Sequence, residues 1–455
     1  MKNMYILPII SALALAACAQ DSFTIPTGSD AVVGESSVVK IIKNSANEWT
    51  MVVNDSPYYV NGAAANRFYT DVKKFGGNTI RLYSPASSDT RQIMDDAYQK
   101  ELKVYLGLGL AAAEYFDYTN KEKVAAQKEK IRTYIKQYKD HPALLCWSIG
   151  NEAEASNEDN IDLWKAIGDI AAMIKELDPN HPVTCTLASS TEKRFKNLVT
   201  YAPDIDFLSV NNYYPHVGKV GENISKAGID LPYMVTEFGP RGTWAMSQEP
   251  SRILPWDDYY SDSSKALVEE TSTEKEELYL KIWQEDIKGK ASMGCIGSFV
   301  FVWGYQTHGE VLNWYSLYTT DRYTYGACDA MQYCWTGSWP EVRAPRIASR
   351  KDMTLDNMVA EDAIKIKVGT KHSAKVVAEA QAEVNLRYQW RIFKEGDKKS
   401  DGSMSDGIEG LIDENGSAEI SFTAPASTGA YRLYVFALDD VHKKAASACI
   451  PFYVE

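Results

Sequence analysis

The sequence predicts an α/β protein, namely a (β/α)8 barrel followed by a C-terminal all-β sandwich of the immunoglobulin-like class. Apolar, β-branched runs alternate with amphipathic helical patterns from residue 49 to residue 335, as expected for parallel strands joined by helices. From residue 353 onward, short alternating segments separated by turn residues follow, which is typical of an antiparallel sandwich. A doubly wound open sheet is the alternative for the first part, but it would favour a glycine-rich phosphate loop, and the sequence has none.

One helix is predicted after each of the eight predicted barrel strands. In chain order the strands are 58–63, 78–83, 103–110, 143–149, 182–187, 205–210, 232–236 and 295–303. The helices are predicted at 67–75, 90–100, 121–138, 161–177, 192–201, 222–227, 272–288 and 327–335. Gly76 and Gly77 follow the first helix, where a glycine C-cap is expected. Strict alternation of this kind indicates a TIM barrel.

Length and charge limit the number of domains and the partners. The chain has 455 residues, and a single core rarely grows beyond about 300 residues. We therefore predict two folded units, a catalytic barrel over 39–343 and a sandwich over 344–455. Acidic residues outnumber basic ones by 61 to 48, so nucleic acid and anionic membrane surfaces are poor partners. The oligomeric state stays open.

The N-terminus has the features of an export signal. Lys2 precedes an apolar run over residues 5–17, which is too short for a membrane-spanning helix. Leu-Ala-Ala-Cys at 15–18 resembles a bacterial lipobox, so we expect residues 1–17 to be a lipoprotein signal peptide and Cys18 to be lipidated. Residues 18–38 would then be a polar tether to the bacterial cell envelope, at the outer membrane or the periplasmic face. An ordinary signal peptide cut elsewhere is the alternative.

Two glutamates end the fourth and seventh predicted barrel strands. The fourth strand closes in Gly150-Asn151-Glu152, and Glu237 ends the seventh. The carboxyl ends of barrel strands form the face where catalytic residues lie, and these two strands are across that face from each other. Retaining hydrolysis of a glycosidic bond needs such a pair, one a protonated acid and the other an ionised nucleophile. Strand-end register and Asn151 favour Glu152 over Glu154, which we expect to be a loop carboxylate.

Four short motifs lie at or near predicted strand ends. They are Lys74–Arg81 (KFGGNTIR), Ser148–Glu152 (SIGNE), Asn211–Tyr214 (NNYY) and Thr236–Gly239 (TEFG). In this order, over residues 52–340, they resemble the clan A glycoside hydrolases, and most closely the TIM barrel domain of glycoside hydrolase family 2. The resemblance implies a retaining β-glycosidase in which Glu152 is the general acid/base and Glu237 is the nucleophile. It implies no metal and no organic cofactor.

The resemblance also assigns two residues to the nucleophile. Arg81 would lie near Glu237 and keep it ionised, and Tyr213 would hydrogen-bond to it. The ordinary alternatives are a salt-bridged residue at the rim of the core for Arg81, and Tyr214 in place of Tyr213.

Three further residues are assigned to the sugar. Asn151 would hydrogen-bond to the 2-hydroxyl, a contact that strengthens in the transition state. Asn211 belongs to the motif at the end of the sixth strand and is placed in the substrate site. Trp303, at the end of the eighth strand, would form the floor of that site, and the ordinary alternative is barrel packing.

The predicted substrate is a neutral β-linked oligo- or polysaccharide, with a β-glucan favoured. Arg81 and Arg241 are the obvious cations near strand ends, although Arg241 and Lys219 leave a uronic acid substrate open. Family members carry sandwich domains before the barrel that shape the pocket, and this sequence has none there, so the resemblance does not identify the sugar. Two alternatives use the same barrel, namely transglycosylation by the same glutamates and a non-catalytic glycan-binding lipoprotein.

Two aromatic loops are predicted to wall the site. The connection between Gly239 and Ser272 is unusually long, and such connections usually form lids or binding loops. This connection contains Trp244, Trp256, Tyr259 and Tyr260. A second aromatic group follows the eighth strand and consists of Tyr305, Trp314 and Tyr315. The alternative is that these rings pack the loops onto the barrel.

Overall fold

A computed structural model describes residues 34–256, 266–307, 313–397, 399–400 and 403–455. The predicted signal peptide, Cys18 and residues 18–33 of the tether lie outside the described residues, as do Tyr259 and Tyr260. The described part contains a closed barrel of eight parallel strands and a C-terminal all-β part, which confirms the predicted fold class. No helix within it is both long and apolar enough to cross a membrane.

A small antiparallel sheet precedes the barrel and packs at the amino-terminal end of its strands. It consists of β1 (Val39–Lys43), β2 (Trp49–Val53) and β3 (Ser56–Tyr58). Met51 and Val53 are buried in one apolar cluster with Tyr105 and Phe299 from the barrel interior. This sheet therefore closes the bottom of the barrel, opposite the face that the strand ends form.

The barrel strands follow one another around the barrel in chain order. They are β4 (Val60–Ala65), β5 (Thr79–Leu82), β6 (Lys103–Leu108), β7 (Leu144–Asn151), β8 (Val183–Leu187), β9 (Leu208–Asn211), β10 (Tyr233–Phe238) and β11 (Cys295–Trp303). The last strand pairs with the first, in parallel, and this pairing closes the barrel. Glu152 and Glu237 therefore lie at one face, as predicted from the order of the strands.

Helices surround the barrel, and several of them begin at a residue whose side chain caps the helix. They are α1 (Asp71–Lys74), α2 (Thr90–Gln99), α3 (Lys121–Tyr138), α4 (Ile161–Leu177), α5 (Glu192–Tyr201), α6 (Val220–Lys226), α7 (Ser272–Lys281) and α8 (Gly326–Thr336). The side chains of Asn120, Asn160 and Thr191 accept a hydrogen bond from the first turn of α3, α4 and α5, which satisfies backbone donors that a helix start leaves unpaired.

Two sheets form the C-terminal all-β part. Its strands are β12 (Thr324–Tyr325), β13 (Met353–Leu355), β14 (Lys365–Ile366), β15 (Lys371–Val376), β16 (Arg387–Lys394), β17 (Glu419–Thr423), β18 (Gly429–Asp439) and β19 (Lys444–Val454). One sheet has the order β12-β19-β18-β16, with β14 beside β19, and the other has the order β13-β15-β17. Phe422 and Phe452 meet in the core between them, with ring centroids 6.0 Å apart.

The all-β part and the barrel are joined by shared structure and buried charge. β12 lies between β11 and α8 in the chain but pairs with β19. Lys275 forms a buried ion pair with Glu269, with Nζ and Oε1 2.5 Å apart, and Tyr434 donates to the same carboxylate at 2.8 Å. Asp329 and Lys444 form a second buried ion pair. Removing one partner of such a pair leaves an uncompensated buried charge, at a cost of about 3–5 kcal/mol, so these contacts contribute to the stability of both parts.

Candidate active site

An irregular strand end aims the side chain of Glu152 into the barrel mouth. Ser148 and Asn151 pair with Thr184 and Thr186 of β8, so β7 has one residue more than its partner. Gly150 has φ +72° and Glu152 has φ +53°. Bulges of this kind bend a strand and redirect side chains, and they are frequent at barrel rims. A non-glycine residue at positive φ is strained, and here the strained residue is the predicted acid.

The bulge requires glycine at position 150. A Cβ atom added to Gly150 would lie 3.0 Å from the Cβ of Leu110, and its positive φ disfavours any side chain. The SIGNE motif therefore has a structural reason for its glycine, which is that it permits the turn that separates the buried strand from the carboxylate.

Three donors hold the carboxylate of Glu237 at the end of β10. Arg81 Nη1 donates to Oε1 at 2.9 Å, and Tyr83 Oη donates to the same oxygen at 2.8 Å. Tyr213 Oη donates to Oε2 at 2.5 Å. Glu237 is only 6% exposed, so a buried carboxylate is matched with a cation and two phenols, as burial of a charge requires. The structure thus places Arg81 and Tyr213 at the predicted nucleophile.

Tyr83 was not predicted. It follows β5 two residues after Arg81, and residues two apart in an extended strand point to the same side. Their spacing was therefore a signal that both side chains face the barrel mouth. The Arg81 guanidinium also lies over the Tyr83 ring, 4.3 Å from its centroid, so the two residues support each other.

Arg81 connects the two glutamates. Its side chain is buried, and Nη1 also donates to Asn211 Oδ1 at 3.2 Å. Asn211 in turn donates from Nδ2 to Glu152 Oε1 at 2.6 Å. The predicted acid and the predicted nucleophile are therefore joined by a continuous chain of hydrogen bonds through one arginine and one asparagine.

Asn151 is fixed in the same network. Its Oδ1 accepts from Arg81 Nη2 at 2.6 Å and from Asn211 Nδ2 at 3.0 Å. Because both donors engage the amide oxygen, the amide NH2 is the group of Asn151 that is oriented to donate to a substrate.

The surroundings of Glu152 raise its pKa, as a general acid requires. Burial is the largest cause that raises the pKa of Glu152, and the negative charge of Glu237 is the second; together they raise it to about 8. The hydrogen bond from Asn211 and the positive charge of Arg81 oppose that rise. A carboxyl group with a raised pKa is protonated at neutral pH and can donate its proton. The two glutamates therefore differ in environment, since Glu237 is paired with a guanidinium and Glu152 is not.

Glu154 is excluded from this pair. It lies in the loop after β7, as expected, but it is 1% exposed rather than solvated. Its carboxylate accepts from the backbone N–H of Ala188 at 2.8 Å and is 3.0 Å from Nε of Arg194. These contacts tie the β7 loop to the β8 loop, which is a structural role.

The prediction that Trp303 forms the floor of the sugar site is wrong. Its ring is fully buried on the helix-facing side of the barrel, 5.4 Å from the centroids of both Phe75 and Tyr318. The pairing of β11 with β4 is irregular between Phe301 and Trp303, where two steps along β11 match one step along β4. This bulge reverses the alternation of side chains. Phe301 is instead the residue of this strand that touches Tyr213, with centroids 5.9 Å apart.

The predicted aromatic loops divide between the site and the core. Trp244 and Tyr315 each lie 5.5 Å from the Tyr213 ring, centroid to centroid, and so border the site. Trp256 is buried in the core of the all-β part. Trp314 is fully buried, with the guanidinium of Arg252 5.3 Å from its ring.

The other cations named from the sequence are engaged elsewhere. Arg241 is 8% exposed, with Nε 2.9 Å from Glu249 Oε1 and Nη1 2.7 Å from Gln248 Oε1. Lys219 is paired with Glu222 at 3.2 Å. Across the described residues, no three His, Cys, Asp or Glu side chains are grouped so that they could hold a metal ion.

The chain is similar to known glycosidases over part of its length. The protein-family model "Glycosyl hydrolases family 2, TIM barrel domain" matches residues 91–258. Pig beta-glucuronidase is 24% identical over 174 residues, which are 38% of this chain and 23% of that protein. The probable mannan endo-1,4-beta-mannosidase F of Aspergillus flavus is 31% identical over 173 residues, which are 32% of this chain and 35% of that protein.

A solved structure shares the fold. The beta-glucuronidase of Bacteroides uniformis superimposes with a TM-score of 0.50 and 13% identity, over 92% of this chain and 48% of that one. The chain therefore matches about half or less of the length of each of these proteins. Over residues 91–258, which run from α2 into the loop after β10, the chain is therefore similar to the TIM barrel domain of glycosyl hydrolase family 2.

Proposed function

We propose that this protein is a retaining β-glycoside hydrolase in which Glu152 is the general acid/base and Glu237 is the nucleophile. The observation that carries the proposal is the asymmetric pair at the barrel mouth. Glu237 accepts hydrogen bonds from Arg81 and two tyrosines, whereas burial and repulsion raise the pKa of Glu152. One carboxylate is thus equipped to attack and the other to donate a proton.

In the first step, a carboxylate oxygen of Glu237 forms a bond to the anomeric carbon while the bond from that carbon to the leaving oxygen breaks. Glu152 gives its proton to the leaving oxygen, so the leaving group departs as a neutral alcohol. The product is a covalent glycosyl-enzyme, and the negative charge has moved from Glu237 to Glu152.

In the second step, Glu152 takes a proton from water and the resulting hydroxide equivalent displaces Glu237 from the anomeric carbon. The change of role follows from the electrostatics of the pair. The repulsion by Glu237, which raises the pKa of Glu152, disappears when Glu237 is esterified. The pKa of Glu152 then falls, and the residue can act as a base at the same pH at which it acted as an acid.

We propose a neutral β-linked glycan as the substrate, with a β-glucan as the first candidate and a β-mannan as the second. Recognition of a uronic acid favours a cation that is free to pair with its carboxylate. Within the described residues, Arg81 is paired with Glu237 and Arg241 with Glu249 in largely buried contacts, so neither arginine is free to pair with a substrate carboxylate. The similarity to an endo-mannosidase gives the β-mannan its place in the test.

The experiment is a screen of aryl β-glycosides, β-glucan and β-mannan with product sizing. We expect turnover that Glu237→Ala abolishes and that Glu154→Gln largely keeps, because Glu154 lies outside the pair. Absence of turnover on every substrate by the unmodified protein would reject the hydrolase and leave a glycan-binding protein. Products longer than the substrate, in place of shorter ones, would show a transglycosylase.

We also propose that the protein is a lipoprotein of the bacterial cell envelope. The pattern of residues 1–18, with Cys18 after Leu-Ala-Ala, supports this. Labelled palmitate should be incorporated into the expressed protein and lost in Cys18→Ser. Incorporation that persists in the variant would reject Cys18 as the attachment site.

A further inference from the structure

One indole stands apart from the other aromatic rings of the chain. All eleven tryptophans lie in the described residues, and Trp244 is the only one that is exposed, at 51%. It belongs to the loop after β10, the strand that ends in Glu237. Large apolar side chains that are left in water near a polar cleft often mark a binding surface, and aromatic rings are common in ligand pockets.

The indole is held in a fixed position. It lies edge-to-face against Tyr213, with centroids 5.5 Å apart and planes at 87°, and it is tilted against Tyr315 at 6.4 Å. It also folds back over Gly242, where an added Cβ atom would lie 2.3 Å from the ring. The loop therefore needs glycine at position 242 to accommodate the indole there.

The loop that carries Trp244 is itself anchored. The residues 243–248 form a 3-10 helix. Arg241, just before it, is paired with Glu249 at 2.9 Å, just after it, and the backbone carbonyl of Arg241 accepts from Trp314 Nε1 at 2.8 Å. The exposed face of Trp244 is thus presented by an ordered segment, so little conformational entropy is lost when a ligand covers it.

The position of this surface relative to the chemistry is defined by Tyr213. The Tyr213 hydroxyl donates to Glu237 Oε2, and its ring contacts Trp244. Trp244 therefore contacts the same tyrosine that hydrogen-bonds to the carboxylate proposed to attack the anomeric carbon. A sugar bound for attack occupies the space at Glu237, and the next unit of the same chain is the part of the substrate that can reach the indole.

We propose that Trp244 is a stacking platform for the sugar unit adjacent to the one that is attacked, so that the substrate is an oligo- or polysaccharide. This rests on the proposed function and adds the class of substrate. The apolar C–H face of a β-linked pyranose fits a flat, rigid indole, and covering that face removes apolar surface of both partners from water. The area of one indole face corresponds to about a 10- to 100-fold effect on affinity.

The test compares chains with a single sugar. The probes are β-1,4-linked glucotetraose and mannotetraose, and the matching β-glycosyl fluorides, whose leaving group has no ring to stack. We expect Trp244→Ala to lower kcat/KM on the active tetraose about 10- to 100-fold, with less than about a threefold change on the fluoride, and Trp244→Phe to restore part of the loss. Tyr98→Ala is the matched control, because Tyr98 is an exposed aromatic residue at the end of α2, and it should change neither value.

A binding measurement separates this proposal from the proposed function. Titration of Glu237→Gln with the tetraose should change the tryptophan fluorescence, and the change should vanish in the double variant with Trp244→Ala. Such binding without turnover by the unmodified protein would reject the hydrolase and keep the platform. Turnover of the fluoride, with an unchanged kcat/KM for the tetraose in Trp244→Ala, would reject the platform and keep the hydrolase. An equal loss on both probes would also overturn the platform.

Discussion

The charge of Glu237 is predicted to hold the pKa of Glu152 high, and Glu237→Gln tests this. Burial and repulsion by Glu237 are the two largest causes of the raised pKa. The carboxylates of a retaining pair are about 5–5.5 Å apart, and at an effective dielectric constant of about 20 their repulsion is about 3 kcal/mol. Since about 1.4 kcal/mol corresponds to one pKa unit, we expect Glu237→Gln to lower the pKa of Glu152 by about 2 units.

The assay is the chemical shift of the Glu152 side-chain carboxyl carbon against pH, in protein labelled with carbon-13 at glutamate and assigned with Glu152→Gln. Burial persists in Glu237→Gln, so the pKa should stay above the value of about 4.3 for a free glutamate. Glu154→Gln is the matched control, because Glu154 raises the same pKa less than Glu237 does. A decrease in Glu237→Gln that is no larger than the decrease in Glu154→Gln would refute the electrostatic coupling.

Three further substitutions test separate parts of the site. Asn211→Ala removes the hydrogen bond that lowers the pKa of Glu152, so the basic limb of the pH profile of kcat/KM should move to higher pH, and an unchanged limb would contradict this. Gly150→Ala should lower the free energy of unfolding in urea by about 1–3 kcal/mol because of its positive φ and close neighbour. Trp303→Leu should lower the free energy of unfolding by about 3 kcal/mol and leave KM unchanged, whereas a raised KM would return Trp303 to the sugar site.

Most of the barrel could be predicted because its periodicity is strong. The helices α3, α4 and α5 begin and end at the predicted residues, as does β11. The first helix was predicted over 67–75 but spans only Asp71–Lys74. Phe68 has φ +53°, which no α-helix contains, and a backbone angle of this kind is not visible in a pattern of apolar residues.

The site could be predicted where it depends on strand ends. Glu152 and Glu237 follow from the order of the strands, and the motifs that they share with a known family added Arg81 and Tyr213. Trp303 was placed wrongly because regular alternation puts it on the face of Phe301, whereas a single bulge moves it to the other face. Bulges depend on how two strands pair, and one strand's sequence does not show this.

The aromatic loops could be located but not divided between the site and the core. Trp244 and Trp256 lie in the same connection, yet one borders Tyr213 and the other is buried with the strands of the all-β part. Both have apolar and polar neighbours in the sequence, and they differ because the chain near Trp256 packs against the all-β part. Such long-range packing has no local signal.

The most direct test of the central claim is the stereochemistry of azide rescue. An activated aryl β-glycoside is supplied with azide to Glu237→Gly and, separately, to Glu152→Ala, and the products are distinguished by the proton coupling at the anomeric carbon. If Glu237 is the nucleophile, azide replaces it directly and gives the α-glycosyl azide, whereas Glu152→Ala still forms the glycosyl-enzyme and gives the β-glycosyl azide. The reverse pattern would contradict the assignment of the two glutamates.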